Sequence, residues 1–458
     1  MTRVFPEGFT WGTATASYQV EGAVAEGGRT PSIWDTFTHT PGRVLDGSNG
    51  DVACDQYHRW RSDVDLIKQL GVSAYRFSVA WPRIVPKLGG PVNQAGLDYY
   101  SRLMDALLGA GIAPVLTLYH WDLPQYLQDA GGWTNRDTAQ RFADYAEKVA
   151  RALGDRVSMW TTLNEPWCSA HLGYADGEHA PGLHDHPAAL AAAHHLNLAH
   201  GLGVQAIRAQ LPSAKVSVTL NLHVIRPATD VPADVAAAER VRRVGNDIWL
   251  LPMLEGRYDP QLFADTAKLS DWSFVEDGDL AQIAQPLAAL GINYYSTSYA
   301  RARSVPAPAG PPWQGPWPGC ESVEFLPPKP PLTAMGWNQE PAGMTDILVE
   351  MATRYPGLEL IVTENGAAFD DVVSPDGAVH DPLRINYLAN HIEAVGRAID
   401  AGAPVSGYFL WSLMDNFEWA WGFTRRFGVF RTDYDTQERT WKDSSRWYRQ
   451  LANTNRMP

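Results

Sequence analysis

Met159-Trp160-Thr161-Thr162-Leu163-Asn164-Glu165 and Glu359-Leu360-Ile361-Val362-Thr363-Glu364 are two apolar runs, each closed by a glutamate. They belong to candidate strands Val157–Asn164 and Leu358–Glu364. Six further runs share this texture: Phe9–Ala16, Ser73–Trp81, Ala113–His120, Lys215–His223, Leu290–Ser298 and Ser406–Trp411. Between them lie helical stretches such as Tyr57–Leu70, Ala139–Leu153, Pro187–Gln210 and Leu383–Ala401. Strands that alternate with helices imply a parallel sheet, and mixed apolar strands are those buried on both faces. Eight such units predict a (β/α)8 TIM barrel with elaborated loops at the C-terminal face. A doubly wound open sheet is the alternative, but no Gly-x-Gly-x-x-Gly follows an early strand, and no repeat of 20–50 residues is apparent.

One break in texture lies between Val305 and Leu332, where ten of the 33 prolines fall, with Trp313, Trp317 and Cys320 among them. An interdomain linker would read this way. The strands on either side belong to one barrel, so a long structured loop after strand six, over the barrel mouth, fits better. The expectation is a single domain over residues 1–458.

The 458 residues carry a net charge of −14, with 45% hydrophobic and 19% charged residues. That balance excludes wholesale disorder and disfavours binding to nucleic acid or to anionic membrane. Three scattered cysteines (Cys54, Cys168, Cys320) make neither a disulfide framework nor a thiolate zinc site. With no apolar leader and no apolar run near eighteen residues, a cytoplasmic enzyme is expected. Eighteen Trp and eighteen Tyr exceed what a core requires and favour a carbohydrate ligand, whose apolar faces stack on aromatic rings.

Active sites of barrels lie at the C-terminal strand ends. Those ends carry Gln19, Arg76, His120-Trp121, Asn164-Glu165, Asn221, Asn293 with Tyr295, Glu364-Asn365-Gly366 and Trp411, followed by Glu418-Trp419. No Ser-His-Asp set, P-loop, redox cysteine pair or His-x-x-x-His pattern competes with them. A glutamate closing an apolar strand points into the mouth. Two of them, on strands four and seven, face each other across it, and glycoside hydrolysis needs such a pair, one acid and one base or nucleophile.

These residues resemble a known family. Thr161-Thr162-Leu163-Asn164-Glu165-Pro166 and Val362-Thr363-Glu364-Asn365-Gly366 resemble the two signatures of glycoside hydrolase family 1, the β-glucosidase family. Phe5-Pro6-Glu7-Gly8-Phe9 through Gln19-Val20-Glu21-Gly22-Ala23 is similar to its N-terminal signature. Tyr75-Arg76-Phe77-Ser78-Val79-Ala80-Trp81-Pro82-Arg83-Ile84, Tyr119-His120-Trp121-Asp122-Leu123-Pro124 and Trp411 through Trp419 match as well. The likeness runs from about residue 5 to 448 and implies a retaining, exo-acting β-glycosidase without cofactor or metal. It implies Glu165 as acid/base and Glu364 as nucleophile, the latter held ionised by Arg76 and Tyr295. Asn164 would bond the sugar 2-OH, and Gln19, His120, Trp121, Asn293, Glu418 and Trp419 would meet the rest of the sugar. Trp411 would be the stacking floor, and Trp337 would shape the aglycone side.

Other readings of single residues stay open at this level. Trp121, Trp411 and Trp419 could be core aromatics, His120 a satisfied strand-end histidine, and Arg76 a structural ion-pair partner. Cys168 could border the aglycone or be a small buried residue. His184-Asp185-His186 and His194-His195 look metal-like, but the first lies in a loop and adjacent helix positions cannot face one site. Within the family, Glu418 opposes the 6-phosphate of phosphosugars, although Arg425 and Arg426 stand close by in sequence. A β-galactosidase, β-fucosidase or 6-phospho-β-glucosidase is the alternative enzyme. A sugar-binding module or a glucosinolate-specific enzyme is disfavoured, because both carboxylates are intact. A homo-oligomer is compatible with the sequence, which does not specify one.

Overall fold

The computed structural model describes residues 3–304 and 315–458. Eight strands close into a parallel barrel. They are β1 (Thr10–Ala14), β2 (Ala74–Ser78), β3 (Ala113–Tyr119), β4 (Met159–Asn164), β5 (Val216–Asn221), β6 (Ala289–Asn293), β7 (Glu359–Asn365) and β8 (Val405–Trp411). β1 pairs with β8 (Ala14 opposite Trp411) and with β2 (Ala14 opposite Arg76), so no edge is left free. Every residue of β2 is buried, as expected of a strand packed on both faces. The predicted helices are present, displaced by one or two residues at their ends: Gln56–Leu70, Asp137–Leu153, His186–Gln210 and Pro382–Asp400.

The helices are laid on the barrel by single apolar faces. Asp137–Leu153 buries Phe142, Val149 and Leu153, each worth about 1.5–3 kcal/mol against exposure. Asp185 caps the His186–Gln210 helix by accepting from the Ala188 N–H at 2.9 Å, which is the role of the central residue in the His-Asp-His stretch. His194 Nε2 bonds Asp279 at 2.8 Å, and His195 Nδ1 bonds the Trp133 carbonyl at 2.9 Å, so the pair serves two different packing contacts.

One predicted strand is corrected. Leu290–Ser298 is not continuous: β6 ends at Asn293, and Tyr295 lies two residues beyond it. The Asn338 side chain accepts from Thr297 N at 3.0 Å and donates to Thr297 O at 2.6 Å, drawing the chain away from the barrel. Thr297–Ala302 then joins Val224–Pro227 and Val323–Phe325 in a separate three-stranded sheet. That sheet is where the later part of the Pro-rich stretch goes. Trp317 packs against Trp167 and His223 with ring centroids 4.9 Å from each. Residues 305–314, Trp313 included, lie outside the described residues. Among the described residues no helix is long and apolar enough to cross a membrane.

Candidate active site

The two glutamates stand where the ladder is irregular. The β4–β5 register shifts between Thr161 and Asn164, and the β6–β7 register between Val362 and Glu364. Such shifts turn a strand-end side chain away from its regular direction. Glu165 has a φ of 44°, and Trp121 and Trp419, also at the mouth, have 74° and 50°. Left-handed backbone at a non-glycine residue costs on the order of 1–3 kcal/mol and gathers at functional sites. The Glu165 backbone is held there by its N–H to the Thr219 carbonyl at 2.9 Å. After Glu364 the chain passes so close to β8 that a Cβ on Gly366 would sit 1.7 Å from the Trp411 carbonyl oxygen, so glycine is required.

The two carboxyls have different surroundings. Glu364 accepts from Arg76 Nη1 at 2.5 Å through Oε1 and from the Tyr295 hydroxyl at 2.8 Å through Oε2. Glu165 accepts from Asn293 Nδ2 at 2.7 Å through Oε1 and has the Cys168 thiol 3.3 Å from Oε2. Both are buried. Burial and the neighbouring Glu364 charge raise the Glu165 carboxyl to about 8. Burial raises Glu364 too, but the guanidinium and the tyrosine hydroxyl pull against it. The two carboxyls are therefore held unequally: a neighbouring negative charge adds to burial at Glu165, whereas a guanidinium and a hydroxyl favour the charged form of Glu364. The Tyr295 and Cys168 protons are held well above their ordinary ranges by burial and by these carboxyls, so both groups act as donors.

Asn164 joins the halves. Its Oδ1 accepts from Arg76 Nη2 at 2.6 Å and from Asn293 Nδ2 at 3.3 Å, and its Nδ2 lies 3.0 Å from His120 Nε2. Donation by the amide makes Nε2 the acceptor and leaves the His120 proton on Nδ1. Burial and Arg76 hold that imidazole far below its usual range, hence neutral. Gln19 Nε2 donates to the Phe417 carbonyl at 2.8 Å and reaches Glu418 at 3.4 Å. Gln19 Oε1 and His120 Nδ1 are buried with no hydrogen-bond partner among the described residues. Buried polar atoms left this way are costly.

The cavity above them has a volume of about 460 Å³. Of the residues singled out in the sequence, His120, Trp121, Glu165, Asn221, Asn293, Tyr295, Trp337, Glu364, Trp411, Glu418 and Trp419 line it. Gln19, Arg76 and Asn164 are fully buried behind that wall and bond to residues that form it. Cys168 also lines the cavity and touches Glu165, and it is buried as well. Trp167, Leu172, Glu178, His179, His223 and Phe427 also line the cavity and are not among the predicted site residues. Trp167 could have been noticed from its place two residues after Glu165, and His223 as the last residue of the predicted strand Lys215–His223; Leu172 lies on the helical segment Cys168–Asp176, and Glu178, His179 and Phe427 come from loops. Arg425 lies over the Trp421 ring, with 4.4 Å to its centroid, and Arg426 is paired with Asp415 at 2.7 Å. Neither arginine lines the cavity.

A closed (β/α)8 barrel whose mouth holds two buried carboxyls in unequal surroundings, among aromatic rings and amides, is the framework of a glycosidase. The chain matches glycosyl hydrolase family 1 over residues 1–457, and it belongs to that family. It is 54% identical over 98% of its length to a bifunctional beta-D-glucosidase/beta-D-fucosidase of Bifidobacterium breve, 98% of which is covered. Identity to beta-glucosidase A of Thermotoga maritima is 45%, again with 98% of each chain covered. The crystal structure of a psychrophilic beta-glucosidase from Micrococcus antarcticus superposes with a TM-score of 0.94 at 46% identity, over 99% of this chain and 98% of that one.

Proposed function

We propose that the protein is a retaining, exo-acting β-glucosidase, one (β/α)8 domain that releases terminal β-D-glucosyl residues by double displacement. The observation that carries this is the unequal environment of the two carboxyls. Glu364, with Arg76 and Tyr295 on its two oxygens, is the nucleophile that attacks the anomeric carbon. Glu165, with no cation bonded to it among the described residues, keeps a proton for the leaving oxygen. Once Glu364 is esterified by the sugar its charge is gone. Glu165 then loses its proton readily and activates the water that releases the sugar with its configuration retained. Proton donor and nucleophile are both supplied by the chain, so the reaction asks for neither metal nor cofactor.

Gln19 and Glu418 are the hydroxyl-binding pair at the closed end, Asn164 serves the 2-OH, and Trp411 is the stacking floor. Trp121, Trp419 and His120 complete the sugar site, and Trp337 borders the aglycone. Activity on β-fucosides is included in the proposal, because the Bifidobacterium breve relative carries both activities in its name. The substrates are soluble oligosaccharides of the kind released from cellulose, and the site of action is the cytoplasm. The partner is a small β-glycoside, in preference to nucleic acid or membrane, in keeping with the charge of −14. The test is kcat/KM on matched nitrophenyl β-glucoside, β-galactoside, β-fucoside and 6-phospho-β-glucoside. Glucoside and fucoside leading the phosphosugar supports the assignment. A lead for the phosphosugar overturns it, and a folded protein active on none of the four returns the site to a binding role.

A further inference from the structure

Gly291 on β6 stands level with Thr219 of β5. A Cβ at Gly291 would lie 2.5 Å from Thr219 Oγ1 and 2.9 and 3.0 Å from Thr363 Cγ2 and Oγ1. The absent side chain is thus the space in which hydroxyls from β5 and β7 meet across β6. Thr219 Oγ1 donates to Thr363 Oγ1 at 3.3 Å, and Thr363 Oγ1 donates to Asn293 Oδ1 at 2.7 Å. Asn293 Nδ2 then donates to Glu165 Oε1 at 2.7 Å. All of these side chains are buried. The two ends of an amide are nearly the same size, so its direction is decided by its partners.

We propose that Thr363, backed by Thr219 through the gap at Gly291, is a positioning residue for the proton donor: it fixes the Asn293 amide so that N–H, and not C=O, faces Glu165. This deepens the reading of Glu165 as acid/base and rests on it. With Oε1 kept as an acceptor, the transferable proton sits on Oε2, the oxygen beside the Cys168 sulfur. With the amide reversed, its carbonyl would accept the Glu165 proton, stabilise the neutral acid and hold the proton away from the leaving group. The charged and titratable groups facing Glu165 are Glu364, Arg76, Tyr295, Glu418 and Cys168, and none of them is bonded to Thr363 or Thr219.

The experiment is a carbon-13 titration of the Glu165 carboxyl in the full chain, its resonance assigned with Glu165→Gln, for wild type, Thr363→Val, Thr363→Ser and Thr219→Val. Thr363→Val removes the donor at constant volume and is expected to raise the midpoint by about one pH unit, the size of a hydrogen bond changing sign. Thr363→Ser keeps the hydroxyl and is expected to stay within a few tenths of a unit. Thr219→Val is expected to move it less, in the same direction. Kinetically, Thr363→Val should lose about tenfold in kcat/KM on aryl glucosides with poor leaving groups and little on those with good ones. An unchanged midpoint in Thr363→Val, or one equally shifted in Thr363→Ser, overturns the proposal. If Thr363→Val does not fold, the Thr219→Val titration decides by the same sign. The titration needs no turnover, so a wild type inactive on every glycoside would overturn the proposed function while leaving the relay separately measured.

Discussion

Arg76 on β2 reaches across the barrel mouth to Glu364 on β7 at 2.5 Å, and the two side chains are 1% and 4% exposed. A buried carboxylate stays ionised only with such a partner, so this contact sets the surroundings of Glu364 apart from those of Glu165, which accepts from the Asn293 amide.

Replacing Arg76 by Met should move the acidic limb of the kcat/KM profile to higher pH. Glu364 must be ionised to attack; without the guanidinium its carboxyl rises further, so a higher pH is needed to empty it. Breaking the pair should also lower stability by about 3–5 kcal/mol. A pH–rate series and a denaturant melt read the two effects, and an unmoved acidic limb would contradict the role given to Arg76.

Glu364→Ala should cost on the order of 10⁴–10⁶ in kcat, the loss expected for a covalent nucleophile. Azide fits the space left by the carboxylate and should restore glucoside cleavage while giving the α-glycosyl azide, with inverted configuration. Turnover near that of wild type would rule Glu364 out.

Glu165→Ala should separate substrates by leaving group. A good leaving group departs without a proton, so its first step is spared, while alkyl glucosides lose roughly 10²–10⁴-fold. The alkaline limb, set in the free enzyme by a carboxyl raised to about 8, should vanish with it. Equal loss on every leaving group would exclude a proton-donor role.

The barrel was legible because its signal is repeated: each of the eight runs, from Phe9–Ala16 to Ser406–Trp411, overlaps a barrel strand. Glu165 and Glu364 were legible because a charge that ends an apolar strand has few directions open to it. Leu290–Ser298 misled because Asn338, 41 residues from Thr297, breaks the run after Asn293 through bonds that no local pattern announces. His179 was missed for the related reason that a loop brings it in. Gly291 could not be read as a passage between β5 and β7, because a glycine in a strand has many explanations until the neighbouring strands are known.

Acid should unfold the protein at a comparatively high pH. Burial pushes His171, His179, His200 and His223 down to about 3, and His194 and His391 to about 4. These imidazoles stay neutral in the fold and become protonated near 6.5 in the unfolded chain. Their contribution is complete above pH 6.5 and is lost as pH falls toward 4, by up to about 1.4 kcal/mol per group per unit. His171 is the informative case, since neither of its ring nitrogens has a hydrogen-bond partner among the described residues. It packs on the Trp167 and Trp249 rings, so His171→Phe should keep the packing, remove one group that protonates on unfolding, and lower the acid midpoint followed by circular dichroism. A midpoint that rises instead would mean that the imidazole is held by a bond that Phe cannot replace.

Glu418 should decide against phosphorylated sugars. Its carboxyl lines the cavity, 3.4 Å from Gln19 Nε2, and burial with the Glu364 and Glu165 charges raises it to about 8. A carboxyl held near 8 exchanges hydrogen bonds with hydroxyls, whereas a phosphate dianion beside it would lie close to the Glu364 carboxylate, with Arg76 already bonded to Glu364 and Asn164. Glu418→Ser takes away the hydroxyl partner and, with it, the repulsion that a phosphate meets whenever Glu418 ionises. Glucoside kcat/KM should therefore fall by roughly 10²-fold, as for leaving a buried sugar hydroxyl without its hydrogen-bond partner in the transition state. The ratio of 6-phosphoglucoside to glucoside should rise by at least as much. With Arg426 committed to Asp415 and Arg425 lying over Trp421, absolute activity on the phosphosugar should stay low, because removing a repulsion supplies no cation. A phosphosugar rate in Glu418→Ser that matches the wild-type glucoside rate would show that one of these arginines leaves its partner to bind the phosphate.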